Sequence, residues 1–229
     1  MPKTLKILIV RFSSIGDIVL TTPVIRSLKH HSNTQVHFLT QHRYHSILAN
    51  NPNIDKVFYL NDSFYQVIKD LQQEKYDYII DLHNNLRSLF LISLGTTIKR
   101  YSKSNFKKCI YMNFGINYLN DIHVVDRYMD TIRFLGIKND NQGLDFFLSA
   151  NDKIDVSIFP KDYIVFVIGG QHATKILPNE KIISIIKNVN NPILLVGGSE
   201  DFERGEQIIV NTNNTINTCG KYSILQSAS

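Results

Sequence analysis

Leu5-Lys6-Ile7-Leu8-Ile9-Val10, followed by Arg11-Phe12-Ser13-Ser14-Ile15-Gly16-Asp17, decides the fold class. The first six residues are a short apolar, β-branched run and read as a buried strand. The next seven form a turn that contains a glycine. From there Ile18, Val19, Val24, Ile25 and Leu28 return at helical spacing. Pro23 sits inside that pattern and predicts a kink or a short first turn.

Downstream the alternation continues. Gln35–Thr40 and Lys56–Leu60 read as strands, Ser63–Gln73 as a helix and Tyr76–Leu82 as a strand. Such βαβ alternation predicts a parallel sheet with helices on both faces. Residues 83–150 are less regular. Leu86–Leu94 is apolar enough for a buried helix, and Val125–Leu135 has helical spacing ending at Gly136. Near residue 150 the pattern restarts after the polar Asn151-Asp152-Lys153. Tyr163–Ile168 reads as another buried first strand, leading into Gly169-Gly170. Pro178–Asn188 reads as helix, Ile193–Val196 as strand, Glu200–Asn211 as helix and Thr215–Asn217 as a third strand. The expectation is an α/β chain of two doubly wound domains, 1–150 and 151–229, the second incomplete. Ligands of such sheets bind outside the strand C-terminal ends, and a cleft between the domains is the expected place.

Composition bounds the class. The 229 residues are 43% hydrophobic and 20% charged, as in ordinary globular proteins. No run approaches the ~18 apolar residues of a membrane-spanning helix. The first apolar run breaks at Arg11 and has no small-residue cleavage site, so it does not read as a signal peptide. Cys109 and Cys219 are far apart and suit a reducing compartment. A cytoplasmic location, with peripheral contact to the inner membrane, is the expectation. Residues 1–150 hold 18 Lys+Arg against 12 Asp+Glu, a net +6, and residues 151–229 hold 7 against 8, a net −1. The basic first part suits an anionic partner, or simply a solubilising surface.

Five features could carry chemistry. At Ser13–Asp17, Gly16 allows close ligand approach and the helix start favours an anion. Asp17 is either a functional carboxylate or an acidic helix cap, and spacing alone favours the cap. At Gly169-Gly170-Gln171-His172-Ala173-Thr174-Lys175, a glycine turn ahead of a helix and followed by Lys suits a diphosphate. Otherwise it is a routine turn. Gly197-Gly198-Ser199-Glu200 offers a carboxylate for ribose or sugar hydroxyls, or a first-turn acid favoured by the helix dipole. Lys99–Lys108 packs five bases and two aromatics into ten residues. It could touch phosphates or a membrane surface, or be a solvated loop. No nucleic-acid motif accompanies it, so nucleic acid is not an expected partner. Among the histidines, His30, His31, His37, His42 and His45 show no metal-ligand spacing, and no metal is expected. His83, in Asp81-Leu82-His83-Asn84-Asn85-Leu86-Arg87-Ser88, ends a strand facing the presumed site.

Together these stretches resemble glycosyltransferase family 9, the ADP-heptose:lipopolysaccharide heptosyltransferases. The resemblance is carried by Ile7–Pro23, Tyr76–Ser88, the turn at 169–178, Val196–Glu200 and Cys219-Gly220-Lys221-Tyr222-Ser223-Ile224-Leu225. It implies a GT-B architecture of two Rossmann-like domains, acceptor-binding 1–150 and nucleotide-sugar-binding 151–229. It implies inverting transfer of a heptose or related sugar from an ADP-sugar to an anionic, lipid-linked lipopolysaccharide core acceptor, with no cofactor or catalytic metal. Asp17 matches the family's general base. Lys175 matches its phosphate-contacting lysine, and Glu200 a residue that holds the donor. Gly169, Gly170 and Thr174 join the donor set, and Ser14, Gly16, His83 and Arg87 the acceptor set. Lys175-Ile176-Leu177-Pro178 departs from the family's basic-Trp-Pro run. The 229 residues do not include the family's later Asp-[Ser/Thr]-Gly-x-x-His segment, so the expectation is a fragment or a degenerate relative. A non-catalytic binding relic is the alternative. A nicotinamide-dependent oxidoreductase is a third, opposed by the lack of G-x-G-x-x-G.

Overall fold

The computed structural model describes residues 4–31, 33–60, 64–102, 122–170 and 173–229. The chain divides into two compact units, one ending at Phe147 and the other spanning Leu148–Ser229.

The first unit is built on five parallel strands: β1 (Leu5–Val10), β2 (Thr34–Gln41), β3 (Lys56–Leu60), β4 (Tyr78–Asp81) and β5 (Thr97–Arg100). Their order is β3-β2-β1-β4-β5. The chain moves outward from β1 in one direction and then returns to place β4 on its other side. Between β1 and β4 the crossovers therefore leave to opposite faces, which opens a crevice at the strands' C-terminal ends. Side-chain alternation along β1 explains its continuous apolar run. Ile7 and Ile9 enter one core with Ile18, Val24, Ile25 and Leu28, while Leu8 and Val10 enter another with Leu71, Ile79 and Leu91. A strand covered on both faces has no side for polar residues.

The expected helix around Pro23 is two helices, α1 (Ile15–Val19) and α2 (Thr22–His30). Pro23 stands in the first turn of α2, where its missing N–H costs nothing. α3 (His45–Ala49) packs against α1, and α4 (Phe64–Glu74) covers the opposite face of the sheet. The expected buried helix at Leu86–Leu94 is a 3-10 segment, and it is buried only in part. Its threefold repeat points Leu86, Leu89 and Ile92 outward and keeps Ser88 and Leu91 in the core. α5 (Val124–Met129) continues as a 3-10 segment, Asp130–Leu135, and Gly136 closes it at φ 77°.

The second unit has three parallel strands, β6 (Ile164–Val167), β7 (Ile193–Val196) and β8 (Thr215–Asn217), in that order. α6 (Asn179–Ile186) and α7 (Phe202–Ile209) supply Ile182, Ile186 and Ile208 to a core with Ile193 and Leu195. α8 (Ile224–Ser227) ends the chain. β6 was expected to be buried, yet Ile164, Val165 and Val167 are exposed. Among the described residues it pairs with β7 and stands at the end of the strand order.

Candidate active site

Val10 ends β1 and the chain turns at Phe12–Ser14. Arg11 leaves the strand with its backbone still bonded to Leu39 of β2. Arg11 is buried, at 8% exposure. A buried guanidinium must spend its donors, and this one does. Nε donates to the Ser13 carbonyl at 2.6 Å, and Nη1 donates to the Leu82 carbonyl at 2.6 Å and to the Tyr128 hydroxyl at 3.0 Å. Nη2 lies 2.6 Å from Oδ2 of Asp17. The Tyr101 ring meets Tyr128 edge-on at 5.0 Å, and burial pushes both phenols up, so they remain neutral.

Asp17 is not the N-cap. Ser14 is, and Asp17 is the third residue of α1. Its carboxylate reaches back to Ser14, accepting from the backbone N–H at 3.2 Å and from Oγ at 3.0 Å. Both bonds fall on Oδ2, the oxygen that also meets Arg11. Oδ1 has no hydrogen bond among the described residues. Burial raises the Asp17 pKa, but the Arg11 charge and the Ser14 bonds more than offset this and hold it below the usual carboxylate value. Asp17 is therefore an ionised carboxylate with one oxygen held and one open. Gly16 has nothing within 4 Å of where a Cβ would stand, so no packing in the described residues demands a glycine there.

At the neighbouring exit, Asp81 ends β4 with no exposure. It accepts from the N–H groups of His83 (3.1 Å) and Asn84 (2.8 Å), from Ser88 Oγ (2.6 Å) and from Arg100 Nε (3.1 Å). This carboxylate shapes the loop that carries His83. The His83 ring lies 4.7 Å from that of Phe12, which brings it beside the Asp17 turn. Arg87 stands exposed at the start of the 3-10 segment. Asp81→Ala is expected to destabilise the first unit by ~3 kcal/mol, since four donors lose their acceptor. Urea unfolding reads this, and a loss under ~1 kcal/mol would count against Asp81 as the organiser of the loop.

Of the basic run 99–108, only 99–102 are described. Lys99 Nζ sits 4.7 Å over the Phe134 ring, and Arg100 pairs with Asp81. These two cations face protein partners. The remainder of the run, like Cys109, lies outside the described residues.

In the second unit the two glycine turns meet around one buried acid. Asp201 is 8% exposed and accepts from the Gly198 N–H at 2.9 Å. A Cβ on Gly169 would stand 2.3 Å from its Oδ2, and one on Gly197 2.8 Å from its Cβ. The glycines make room for Asp201. Glu200, the residue singled out by sequence, is exposed and lies against its own turn at Gly198. Arg204 of α7 braces the same region. It donates to Asn179 Oδ1 at 2.7 Å, to the Ile168 carbonyl at 2.7 Å and to the Leu177 carbonyl. Gly170 abuts Ile176 (3.2 Å from an added Cβ), and Thr174 and Lys175 are exposed in a 3-10 turn, Ala173–Lys175. Gln171 and His172 lie outside the described residues. Gly197→Ala is expected to lower the second unit's stability by ~2 kcal/mol or more, and Gly198→Ala by much less. The reason is that Asp201 is wedged, whereas Glu200 ends a flexible side chain. Equal melting shifts for the two variants would contradict this.

The model of glycosyltransferase family 9 (heptosyltransferase) matches residues 64–229, well over half of the chain. The chain belongs to glycosyltransferase family 9. A curated member, lipopolysaccharide heptosyltransferase 1 of Campylobacter coli, is 26% identical over 209 residues, covering 86% of this chain and 56% of the relative. The chain thus spans little more than half of that relative's length. Among solved structures, a family 9 glycosyl transferase from Veillonella parvula superposes with a TM-score of 0.72 at 19% identity, covering 97% of this chain and 72% of that one. The E. coli ADP-heptose heptosyltransferase II gives 0.68 at 16% identity, covering 97% and 75%. At these identities the likeness is one of fold, and it bears out the GT-B reading. The family match contains both glycine turns of the second unit and the His83 loop. The turn carrying Asp17 lies ahead of it.

Sequence reading missed Arg11, Tyr128, Asp81, Asp201 and Arg204. A signal existed for two of them. Arg11 and Asp81 each adjoin a buried apolar strand, where a charge requires a partner. Their partners are not readable from spacing, since Tyr128 lies 117 residues from Arg11.

Proposed function

We propose that this chain transfers a heptose, or a related sugar, from an ADP-sugar to a lipopolysaccharide core acceptor, with inversion at the anomeric carbon. Asp17 is the general base. Its open oxygen takes the proton of the acceptor hydroxyl as the hydroxyl oxygen bonds to the anomeric carbon. The bond from that carbon to the diphosphate breaks, and the nucleoside diphosphate leaves with its negative charge. Lys175, with Gly169, Gly170 and Thr174, takes up that charge, and Glu200 holds donor hydroxyls. Ser14, Gly16, His83 and Arg87 form the acceptor side. Family membership supports the reaction class. The E. coli relatives are named for ADP-heptose and for a complex with ADP, which supports the donor. The observation that carries the reading is Asp17 itself, a carboxylate beside the β1–β4 crevice with one oxygen free of hydrogen bonds among the described residues.

The basic first part suits a phosphorylated acceptor. No helix among the described residues is long and apolar enough to cross a membrane. We place the chain in the cytoplasm, meeting its lipid-linked acceptor at the inner membrane.

The test is an assay of the protein its gene encodes in full. ADP-heptose and a lipopolysaccharide-core acceptor are supplied, ADP release is followed, and the anomeric configuration of the product is read by NMR. ADP release with inverted configuration is expected. Retained configuration, or consumption of another nucleotide sugar in preference, would overturn the proposal.

A further inference from the structure

We propose that Arg11 is the positioning residue of this site: it holds Asp17 through Oδ2 alone and so presents Oδ1 as the atom that receives the acceptor proton. The inference rests on the base role given to Asp17 above.

An Arg–carboxylate pair commonly closes as a fork, with two parallel bonds that occupy both oxygens. Arg26 does this elsewhere in the same unit, reaching both oxygens of Asp140 at 2.7 and 2.8 Å. A fork on Asp17 would take its base atom out of use. Arg11 cannot close one, because its other edges are already engaged. Nε is held by Ser13, and Nη1 by Leu82 and Tyr128, leaving Nη2 to meet Asp17. Those anchors come from the β1 exit, the β4 exit and α5, and the Tyr101 side chain bonds Arg11 as well, so separated parts of the chain fix the guanidinium against Asp17. Ser14 adds two donors, and they fall on the same oxygen. Each donor to Asp17 among the described residues thus selects Oδ2.

The arrangement also separates charge from position. A lysine at residue 11 would keep a positive charge near Asp17, but an ammonium cannot bond Ser13, Leu82, Tyr128 and Asp17 in one plane. If Arg11 supplied only charge, lysine would serve. If it supplies geometry, lysine fails in part and an uncharged side chain fails further.

The experiment uses the full-length protein labelled with ¹³C-aspartate, with the Asp17 signals assigned through Asp17→Asn. Three readouts are taken for wild type, Arg11→Lys, Arg11→Met and Tyr128→Phe. They are the carboxyl titration of Asp17, the side-chain couplings that report its rotamer, and kcat and KM in the transfer assay. Wild type is expected to show one Asp17 rotamer and a titration below the ordinary carboxylate range. In Arg11→Met the rotamers should average and the titration should rise, since burial remains without its compensating charge. Its kcat should fall ~10²-fold, as for a misplaced reacting group, with KM little changed. Arg11→Lys should restore the titration more than the rotamer or kcat. Tyr128→Phe leaves Asp17 and the charge intact. It should loosen the rotamer and lower kcat several-fold, and it serves if Arg11→Met does not fold. A single rotamer persisting in Arg11→Met or Tyr128→Phe would overturn the proposal. So would full rescue of kcat by lysine. Failure of the base reading looks different: Asp17→Asn would keep turnover while the Arg11 variants still released the rotamer.

Discussion

Asp17→Asn should lower turnover by about 10²–10⁴-fold, the range for removing a general base. The amide is nearly isosteric and can still accept from Ser14 through its oxygen. What it cannot do is take a proton from the acceptor. Arg11 loses its ionic partner but keeps the Ser13 and Leu82 carbonyls and the Tyr128 hydroxyl, so the buried guanidinium stays hydrogen-bonded. The melting temperature should therefore move far less than the rate. The pH profile offers a second check. With its pKa held below the ordinary value, Asp17 stays ionised as pH falls into the usual carboxylate range. Loss of its base function should therefore begin at lower pH than for an ordinary aspartate. Steady-state kinetics beside thermal melts read both, and turnover within ~3-fold of wild type would rule out the base role.

Arg26→Met should cost the first unit ~3–5 kcal/mol, the scale for breaking a buried ion pair from one side. Arg26 is 4% exposed. It forks onto Asp140, also bonds Asp145, and donates to the Gly143 carbonyl at 3.0 Å. This clasp binds the loop around residues 140–145 to α2, where the Asp145 N–H also meets Thr22 Oγ1. Methionine would leave two carboxylates side by side without their cation. The bond from Arg26 is the main reason that Asp140 is pulled down to about 2. Glu74 is likewise held at about 2, first by Lys56 and then by Lys6. Both folded values lie below the unfolded ones. Each group therefore stabilises the fold fully above its ordinary pKa, and that stability is lost as pH falls through the folded value. Both carboxylates lie near the surface, so solvent screening trims what each shift contributes, and wild type should weaken between about pH 5 and pH 2. In Arg26→Met the Asp140 part is already gone, and the acid dependence should be shallower. Urea unfolding at pH 7 and pH 3 measures the difference, and equal losses in both proteins would contradict it.

Most of the fold was legible in the sequence because it is written in local pattern. The run at residues 5–10 became β1 with the same ends, and Lys56–Leu60 became β3. Period and run length separate strands from helices without reference to the rest of the chain. Local pattern is ambiguous in two segments. Leu86–Leu94 is apolar on nearly every side, so its sequence cannot say which face is inward or whether the turn is α or 3-10. Tyr163–Ile168 reads as buried because it is apolar, but burial is set by what packs on a strand's faces, and among the described residues Ile164, Val165 and Val167 of β6 stay exposed.

The candidate site divides in the same way. Sequence alone supplied Asp17, its glycine turn, and the kinship that suggests a base there. It could not tell a helix cap from a base, because both require an acid at the start of a helix. Tertiary structure shows that Ser14 is the N-cap, that Asp17 completes its capping box and that Asp17 is gripped by one oxygen. That grip depends on Arg11 meeting Leu82 and Tyr128, contacts between residues 71 and 117 positions apart. A hydrogen bond is fixed by distance and angle in space, and only the packed sheet and helices set those.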